Sequence, residues 1–174
     1  WSGHHHEHIL NFLENGIAVF RVHSSDSRGV ASTAEDQLAV TAAMMMVDAV
    51  EPLKFLSRHP DIDPKRIGIT GWSLGGIVAF YSAWEPIMES LAPEGERFCA
   101  HLPIYPATFL QPDEHRWSNA PILSLVGEVD DYTPASLVKD LSKPMQENWA
   151  NADVYEFKFG HHSFDSINPV TFWP

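Results

Sequence analysis

The pentapeptide at residues 71–75 constrains the fold of this chain more than any other feature. Its sequence, Gly-Trp-Ser-Leu-Gly, matches the pattern G-x-S-x-G and lies between a short apolar run and an apolar helical pattern. Such a motif forms a strained turn from strand to helix, which lifts the serine hydroxyl clear of the end of a sheet. Small residues two positions to either side let the strand and the helix approach closely. The motif therefore predicts a nucleophile at Ser73.

The rest of the chain alternates short apolar runs with longer amphipathic segments, which is typical of βα units around a largely parallel sheet. The strands are predicted at residues 17–22, 66–70, 99–105, 122–126 and 154–159. The helices are predicted at residues 7–14, from the capping pair Thr33 and Asp36 to Leu56, at 76–84, and from Pro134 towards Asn148, with Thr133 as the N-cap of the last one. We expect Pro52, Pro86 and Pro144 to kink or end these helices. No linker or repeat divides the 174 residues, which predicts a single domain.

A nucleophile of this kind needs an acid and a histidine, in the chain order Ser, then Asp or Glu, then His. The run at 122–126 leads into a loop that carries Asp130 and Asp131, and the run at 154–159 leads into His161 and His162. Open α/β sheets place their sites in loops at the carboxyl ends of strands. The order of the residues therefore predicts a catalytic triad, but spacing alone leaves both pairs undecided.

Several segments together resemble the dienelactone hydrolase family of α/β hydrolases. They are residues 71–76, 127–134, 161–165, 16–20 and 27–30, so the resemblance extends over nearly the whole chain. It implies the α/β-hydrolase fold, with a mostly parallel sheet and helices on both faces. It also implies Asp130 rather than Asp131 as the acid and His162 rather than His161 as the base.

One residue departs from the family pattern. Dienelactone hydrolases proper use a cysteine nucleophile, whereas this chain has Ser73. We therefore expect a hydrolase of small-molecule carboxylic esters or lactones, working through an acyl-enzyme, rather than an enzyme for dienelactone itself. No cofactor is expected.

The oxyanion of such a reaction needs two backbone N–H donors. The first is predicted at Leu74, directly after the nucleophile, and the resemblance implies that the second comes from the loop containing Gly3 and His4. Because a complete α/β hydrolase has several strands before that loop, we expect the natural polypeptide to be longer. Trp72 and Tyr105 are candidates for lining the acyl pocket, although aromatic residues are also ordinary core material.

Charge and composition exclude some partners. The formal charge of -12 argues against nucleic acid or an anionic membrane surface. No apolar run reaches the roughly 18 residues of a membrane-spanning helix. Cys99 is the only cysteine, so no intramolecular disulfide can form, and we interpret it as a structural residue. That composition fits a cytosolic enzyme without excluding export, and it leaves the oligomeric state open.

Four alternative interpretations of the sequence are weighed against this prediction. The histidine-rich segment from His4 to His8 invites a metal hypothesis, but it lacks the H-E-x-x-H spacing, and we predict no metal. Arg28 either binds a substrate carboxylate or ties down its own loop. A non-catalytic binding protein would be expected to lack a triad residue, and a peptidase or acyltransferase on the same fold is the closer rival because a triad does not specify the leaving group.

Overall fold

The computed structural model describes residues 3–31, 36, 38–148 and 150–167. In chain order the elements are α1 (Gly3–Glu14), α2 (Ala42–Ser57), β1 (Ile69–Trp72), α3 (Leu74–Tyr81), α4 (Glu85–Leu91), β2 (His101–Ile104), β3 (Ile122–Gly127), α5 (Ala135–Glu147) and β4 (Ala152–Phe157). Short 3-10 turns at Asp26–Arg28 and Pro64–Arg66 flank α2. Among the helices described, none has the length and apolar character needed to cross a bilayer.

The four strands form one sheet in the order β1-β2-β3-β4, and every neighbouring pair is parallel. One row of the register runs from Ile69 through His101 and Ile122 to Ala152. This arrangement confirms the parallel α/β sheet. Because all four strands run in the same direction, their carboxyl ends meet at one edge, and the loops that leave this edge carry the site described below.

Helices cover both faces of the sheet, as the resemblance implied. A Cβ added to Gly71 would lie 2.2 Å from the carbonyl oxygen of Gly75, so this side of β1 lies directly against α3. The next residue, Trp72, places its ring 4.7 Å from His5 and 5.4 Å from His8, both on α1. Successive side chains of a strand point to opposite faces, so α3 and α1 lie on opposite sides of the sheet.

The core lies mainly on the α3 face. It joins the inner side of the sheet to α2, α3 and α5 in one cluster, whose most completely buried large members are Phe80, Leu53, Met88, Ile122, Leu141 and Met145. α2 contacts α3, and α5 contacts β3 and β4. Burial of these apolar side chains, at about 25 cal/mol per Å² of apolar surface removed from water, is the main force that holds the helices on the sheet.

The strand predicted at residues 17–22 does not form. This segment has no regular secondary structure and no strand pairing, and Ile17 and Phe20 are 53% and 54% exposed. A strand exists only where a neighbour accepts and donates its backbone hydrogen bonds. No strand in the described part of the chain pairs with this segment, and apolar character alone does not supply a partner.

The second helix begins later than predicted. Thr33 lies outside the described residues and Leu38 is 80% exposed, whereas the Thr41 side chain accepts a hydrogen bond of 3.3 Å from the Met44 N–H and caps α2. Pro52 does not end the helix either, because α2 continues through it to Ser57. Most helical stability in proteins comes from packing, and the buried side chains on both sides of the proline hold the helix together.

The other boundaries shift by a few residues. α1 begins at Gly3 rather than residue 7, but it ends before Gly16, whose φ of 75° suits a helix end. Pro86 lies in the first turn of α4 instead of breaking a helix, and α5 continues through Pro144. The predicted helix at 76–84 is α3, which ends at Tyr81, and the strand expected at 66–70 is β1. Cys99 is a half-buried free thiol before β2.

Candidate active site

Ser73 lies in the turn between β1 and α3, where the motif predicts it. Its φ of 52° and ψ of −113° are strained for a residue with a side chain. The close approach of Gly71 to Gly75 explains why the first motif position has no side chain: a Cβ there would overlap the Gly75 carbonyl oxygen. At Gly75 itself a Cβ would meet only the Met45 Cε atom, at 3.9 Å, so the packing needs the first glycine and not the second.

Asp130 follows β3 and is 5% exposed. Its Oδ1 accepts hydrogen bonds from the backbone N–H groups of Tyr132 (3.0 Å) and Thr133 (2.8 Å). Its Oδ2 accepts from the Thr133 hydroxyl at 2.7 Å and from His162 Nδ1 at 2.9 Å. Burial opposes ionisation, but the hydrogen bonds from His162 and Thr133 outweigh it and lower the pKa of Asp130 below its ordinary value. The residue is therefore a carboxylate at neutral pH.

His162 follows β4 and connects the other two residues. Its Nε2 lies 3.0 Å from Ser73 Oγ, and its Nδ1 lies 2.9 Å from Asp130 Oδ2. An ionised carboxylate only accepts hydrogen bonds, so the Nδ1 atom carries the proton and Nε2 is left to accept from the serine hydroxyl. The structure thus brings together the three residues predicted as a triad, in the geometry of a nucleophile, a base and an orienting acid.

The Asp130 and His162 loops approach each other through a glycine pair that sequence reasoning missed. A Cβ on Gly127, at the end of β3, would lie 2.3 Å from the Gly160 carbonyl oxygen. That same oxygen accepts a hydrogen bond of 3.0 Å from the Val129 N–H. The two loops are therefore in direct contact just before Asp130 and His162.

Thr133 corrects the prediction of a helix cap at this position. α5 begins at Ala135, and the residue before it, Pro134, takes the N-cap position without a side-chain bond. The Thr133 hydroxyl instead binds Asp130, and its oxygen also lies 3.0 Å from His162 Nδ1. A capping hydroxyl accepts from a helix N–H, whereas this hydroxyl donates to a carboxylate, and such a charge-assisted hydrogen bond is stronger than one between neutral groups.

The predicted oxyanion donors lie at two helix ends. Leu74 is the first residue of α3, so its N–H belongs to the group of amides that begins this helix. Gly3 and His4 are the first two residues of α1, and His4 is buried. α1 is held at the site by its own side chains, because the His5 and His8 rings contact Trp72, the residue before the nucleophile. The role of these three residues in binding an oxyanion stays a prediction.

The two pocket candidates lie beside the triad. Tyr105 is 2% exposed, has a positive φ of 38°, and places its ring 4.7 Å from the His162 ring. Its hydroxyl donates to Asp165 at 2.9 Å, as does the Trp72 indole N–H, also at 2.9 Å. Sequence reasoning missed a role for Asp165, although this residue ends the family-like segment 161–165. The partly buried Trp72 remains a candidate for contacting substrate, whereas Tyr105 packs against the base.

Strained backbone is concentrated here. Four non-glycine residues in the described ranges have positive φ, and three of them are Ser73, Tyr105 and Ser163, which is the residue after the base. Such conformations cost about 1–3 kcal/mol each and persist where the surrounding structure enforces them. Next to this strained region Tyr132, 58% exposed, places its ring 4.9 Å from the His162 ring.

Arg28 ties down its own loop. Its guanidinium donates two hydrogen bonds to Asp48, at 2.6 and 3.0 Å, and a third to the Ser24 carbonyl at 2.7 Å. The hydrogen bond from Arg28 is the main reason that the pKa of Asp48 is lowered. The structure therefore favours the loop-tying alternative over a substrate carboxylate as the partner of Arg28.

The histidines of α1 do not form a metal centre in the part of the chain that the structure describes, where no group of three or more His, Cys, Asp or Glu side chains has the arrangement to hold an ion. His8 Nε2 lies 2.9 Å from Asp165 Oδ2. Burial, with His4 close by, lowers the pKa of His5 to about 4. This ring is therefore neutral at pH 7 and packs edge-on against Trp72.

Comparison with known proteins agrees with this geometry. The family model of the dienelactone hydrolase family matches residues 20–169, which is most of the chain. The chain belongs to the dienelactone hydrolase family. A relative from Bradyrhizobium sp, named "probable 2-oxo-3-(5-oxofuran-2-ylidene)propanoate lactonase", is 24% identical over 163 residues, covering 86% of this chain and 64% of that protein.

Solved structures agree on the fold. Esterase 2 of Thermogutta terrifontis superposes with a TM-score of 0.60 at 18% identity, over 75% of this chain and 59% of that one. The same esterase phosphorylated by paraoxon superposes with a TM-score of 0.58 at 19% identity, over 72% of this chain and 55% of that one. The fold is therefore that of the α/β hydrolases. The chain spans 64% of the length of the curated relative and 59% of the esterase.

Proposed function

We propose that this chain carries the catalytic site of a serine hydrolase that cleaves small carboxylic esters or lactones through an acyl-enzyme on Ser73. The observation that carries the proposal is the continuous hydrogen-bonded path from Ser73 Oγ to His162 Nε2 (3.0 Å) and from His162 Nδ1 to Asp130 Oδ2 (2.9 Å). Two similar proteins support the proposal: the Bradyrhizobium protein named a probable lactonase and the Thermogutta esterase. That esterase is phosphorylated by paraoxon, a reaction that requires an activated nucleophile.

Acylation follows from the positions of these atoms. Ser73 Oγ forms a bond to the substrate carbonyl carbon while His162 Nε2 takes its proton, and the carbonyl oxygen becomes an oxyanion. Asp130 holds the imidazole in the tautomer with the proton on Nδ1 and stabilises the imidazolium that forms. The N–H of Leu74, at the start of α3, is the oxyanion donor on the side of the nucleophile. Removing one such donor typically costs about 3 kcal/mol of transition-state stabilisation.

Collapse of the tetrahedral intermediate breaks the bond to the alcohol oxygen, and His162 returns the proton to that oxygen. In an ester the alcohol leaves, whereas in a lactone it stays attached as part of the acyl group. Water then adds to the acyl-enzyme with His162 as the base, which releases the carboxylic acid and restores the Ser73 hydroxyl. Every proton taken from a nucleophile is thus returned to a leaving group.

The proposal is tested with p-nitrophenyl acetate, p-nitrophenyl butyrate and the lactone dihydrocoumarin, using the full-length protein beside Ser73→Ala and His162→Ala. We expect turnover by the wild type, loss of at least 10³-fold in both variants at unchanged folding, and labelling by a fluorophosphonate at Ser73 only. Wild-type protein that neither turns over nor takes the label would refute the hydrolase and favour a binding protein. The ratio of ester to lactone turnover assigns the substrate class.

A further inference from the structure

Asp165 lies three residues after the base, on the loop that follows β4, and its side chain is 12% exposed. Three side chains from distant parts of the chain meet on its carboxylate. Oδ1 accepts from the Tyr105 hydroxyl at 2.9 Å, and Oδ2 accepts from the Trp72 indole N–H at 2.9 Å and lies 2.9 Å from His8 Nε2. These partners are 60, 93 and 157 residues away in sequence. The triad itself makes no use of this carboxylate.

Each partner touches a different component of the proposed site. Trp72 is the residue before the nucleophile, so its indole ring fixes the end of β1 where the strained turn begins. Tyr105 packs its ring against the base, 4.7 Å from the His162 ring at an interplanar angle of 60°. His8 belongs to α1, the helix that begins with the predicted oxyanion residues. One carboxylate is therefore linked to the nucleophile, the base and the oxyanion side.

The charge state of this carboxylate suits such a role. Burial opposes ionisation, but the hydrogen bonds from Tyr105, His8 and Trp72 outweigh it and lower the pKa of Asp165 below its ordinary value. An indole N–H is only a donor, and a phenol prefers to donate to an anion, so an ionised carboxylate satisfies both in a single orientation. Charge-assisted bonds of this kind are the stronger class and fix the side chains that make them.

We propose that Asp165 is a positioning residue that holds Trp72, Tyr105 and α1 in the arrangement that Ser73 and His162 need. This inference rests on the proposed function, because it assigns a second carboxylate to the same site. Reaction rates depend steeply on placement, and a shift of about 1 Å in a reacting group can cost about 10²-fold. Asp165 touches neither the Ser73 nor the His162 side chain in any contact described above, so its effect passes through the residues that it binds.

The test compares Asp165→Ala, Asp165→Asn and Tyr105→Phe with Asp140→Ala as the matched control. Asp140 is an exposed aspartate on α5, in a loose ion pair with Lys143 at 3.5 Å. The alanine variant removes all three hydrogen bonds. The asparagine variant keeps an oxygen for Trp72 and can donate to the Tyr105 hydroxyl, so it preserves most of the geometry without the charge. The Tyr105→Phe variant deletes one oxygen and leaves the ring against His162.

We expect kcat for p-nitrophenyl butyrate to fall about 100-fold in Asp165→Ala and about tenfold in Tyr105→Phe, with KM changed less than threefold. Asp165→Asn should recover at least tenfold of the loss, and Asp140→Ala should match the wild type. The rate of fluorophosphonate labelling at Ser73 should fall in parallel with kcat, while the final extent of labelling stays complete. That pattern separates misplacement of reacting groups from a loss of folded protein, which would lower the extent as well.

Folded Asp165→Ala with wild-type kcat would overturn the proposal, as would a loss confined to KM. If Asp165→Ala does not fold, Tyr105→Phe provides the test of the positioning role. A tenfold lower kcat at an unchanged melting temperature supports that role, and a wild-type kcat overturns it. A different result would refute the proposed function itself: Ser73→Ala would then keep the turnover of the wild type. Activity that depends on Ser73 but not on Asp165 or Tyr105 removes only the positioning role.

Discussion

Replacing Thr133 by valine is expected to destabilise the fold through the loss of a single hydrogen bond. Valine has the shape of threonine, so the change removes the hydroxyl that donates to Asp130 Oδ2 at 2.7 Å and leaves the packing intact. Thr133 and Asp130 are 2% and 5% exposed, so water does not replace the lost donor. A buried hydrogen bond to a charged group contributes about 1.5–3 kcal/mol. Because Asp130 keeps its bonds from two backbone N–H groups and His162, we expect a cost of about 2 kcal/mol.

The chain offers a matched control for this substitution at Thr108. This residue is fully buried, and its hydroxyl oxygen has no hydrogen-bond partner in the described structure. Thr108→Val makes the same chemical change but removes a buried hydroxyl that forms no hydrogen bond. The free energy of unfolding should therefore be unchanged or rise by about 1 kcal/mol. The two variants are compared by urea denaturation at pH 7, where equal m-values show that the unfolded states are comparable.

The pH dependence of the loss of stability in Thr133→Val tests whether Asp130 is the partner of the Thr133 hydroxyl. The folded-state pKa of Asp130 is depressed, so the stability that its ionised form contributes is fully present above the unfolded value of about 3.9 and is lost as the pH falls through the folded one. The deficit of Thr133→Val should therefore shrink in that acidic range, while the effect of Thr108→Val stays constant. An equal loss of unfolding free energy in the two variants, or a loss in Thr133→Val that does not change with pH, would refute the reasoning.

Three further variants test the turn and the acid. Gly71→Ala places a Cβ against a backbone oxygen that cannot move aside easily. We therefore expect the free energy of unfolding to fall by about 1–3 kcal/mol and kcat/KM to fall about 100-fold. Gly75→Ala is the control, because a Cβ has room there, and it should keep most of the activity. Thermal melts and p-nitrophenyl butyrate kinetics on both variants check this, and equal losses would contradict it. Asp130→Asn should lower kcat by about 10⁴, the loss typical of triads whose histidine is held in the wrong tautomer, with little change in KM. A kcat within tenfold of the wild type would show that Asp130 does not orient His162.

The sequence alone predicted much of the site because its signals are local. The G-x-S-x-G turn is read from five adjacent residues, and the alternation of apolar runs predicts a parallel sheet whose loops meet at one edge. These signals indicate Ser73 itself and the two loops that carry the acid and the histidine. The choice of Asp130 over Asp131, and of His162 over His161, came from the family resemblance, since neighbouring loop residues have equivalent spacing. The catalytic role of the three residues remains for the kinetics above to establish.

Only the tertiary structure decided the features that depend on a distant partner. Residues 17–22 have the apolar composition of a strand but find no pairing strand among the described residues. Thr133 follows the pattern of a helix cap, yet its hydroxyl donates to Asp130 in a charge-assisted hydrogen bond, which is stronger than the neutral bond of a cap. Asp165 ends the family-like segment 161–165, but the sequence indicates no role for it, because its partners Trp72 and Tyr105 lie 93 and 60 residues away. Local periodicity specifies which elements form, whereas the free energy of burying polar groups with their partners decides which side chains meet.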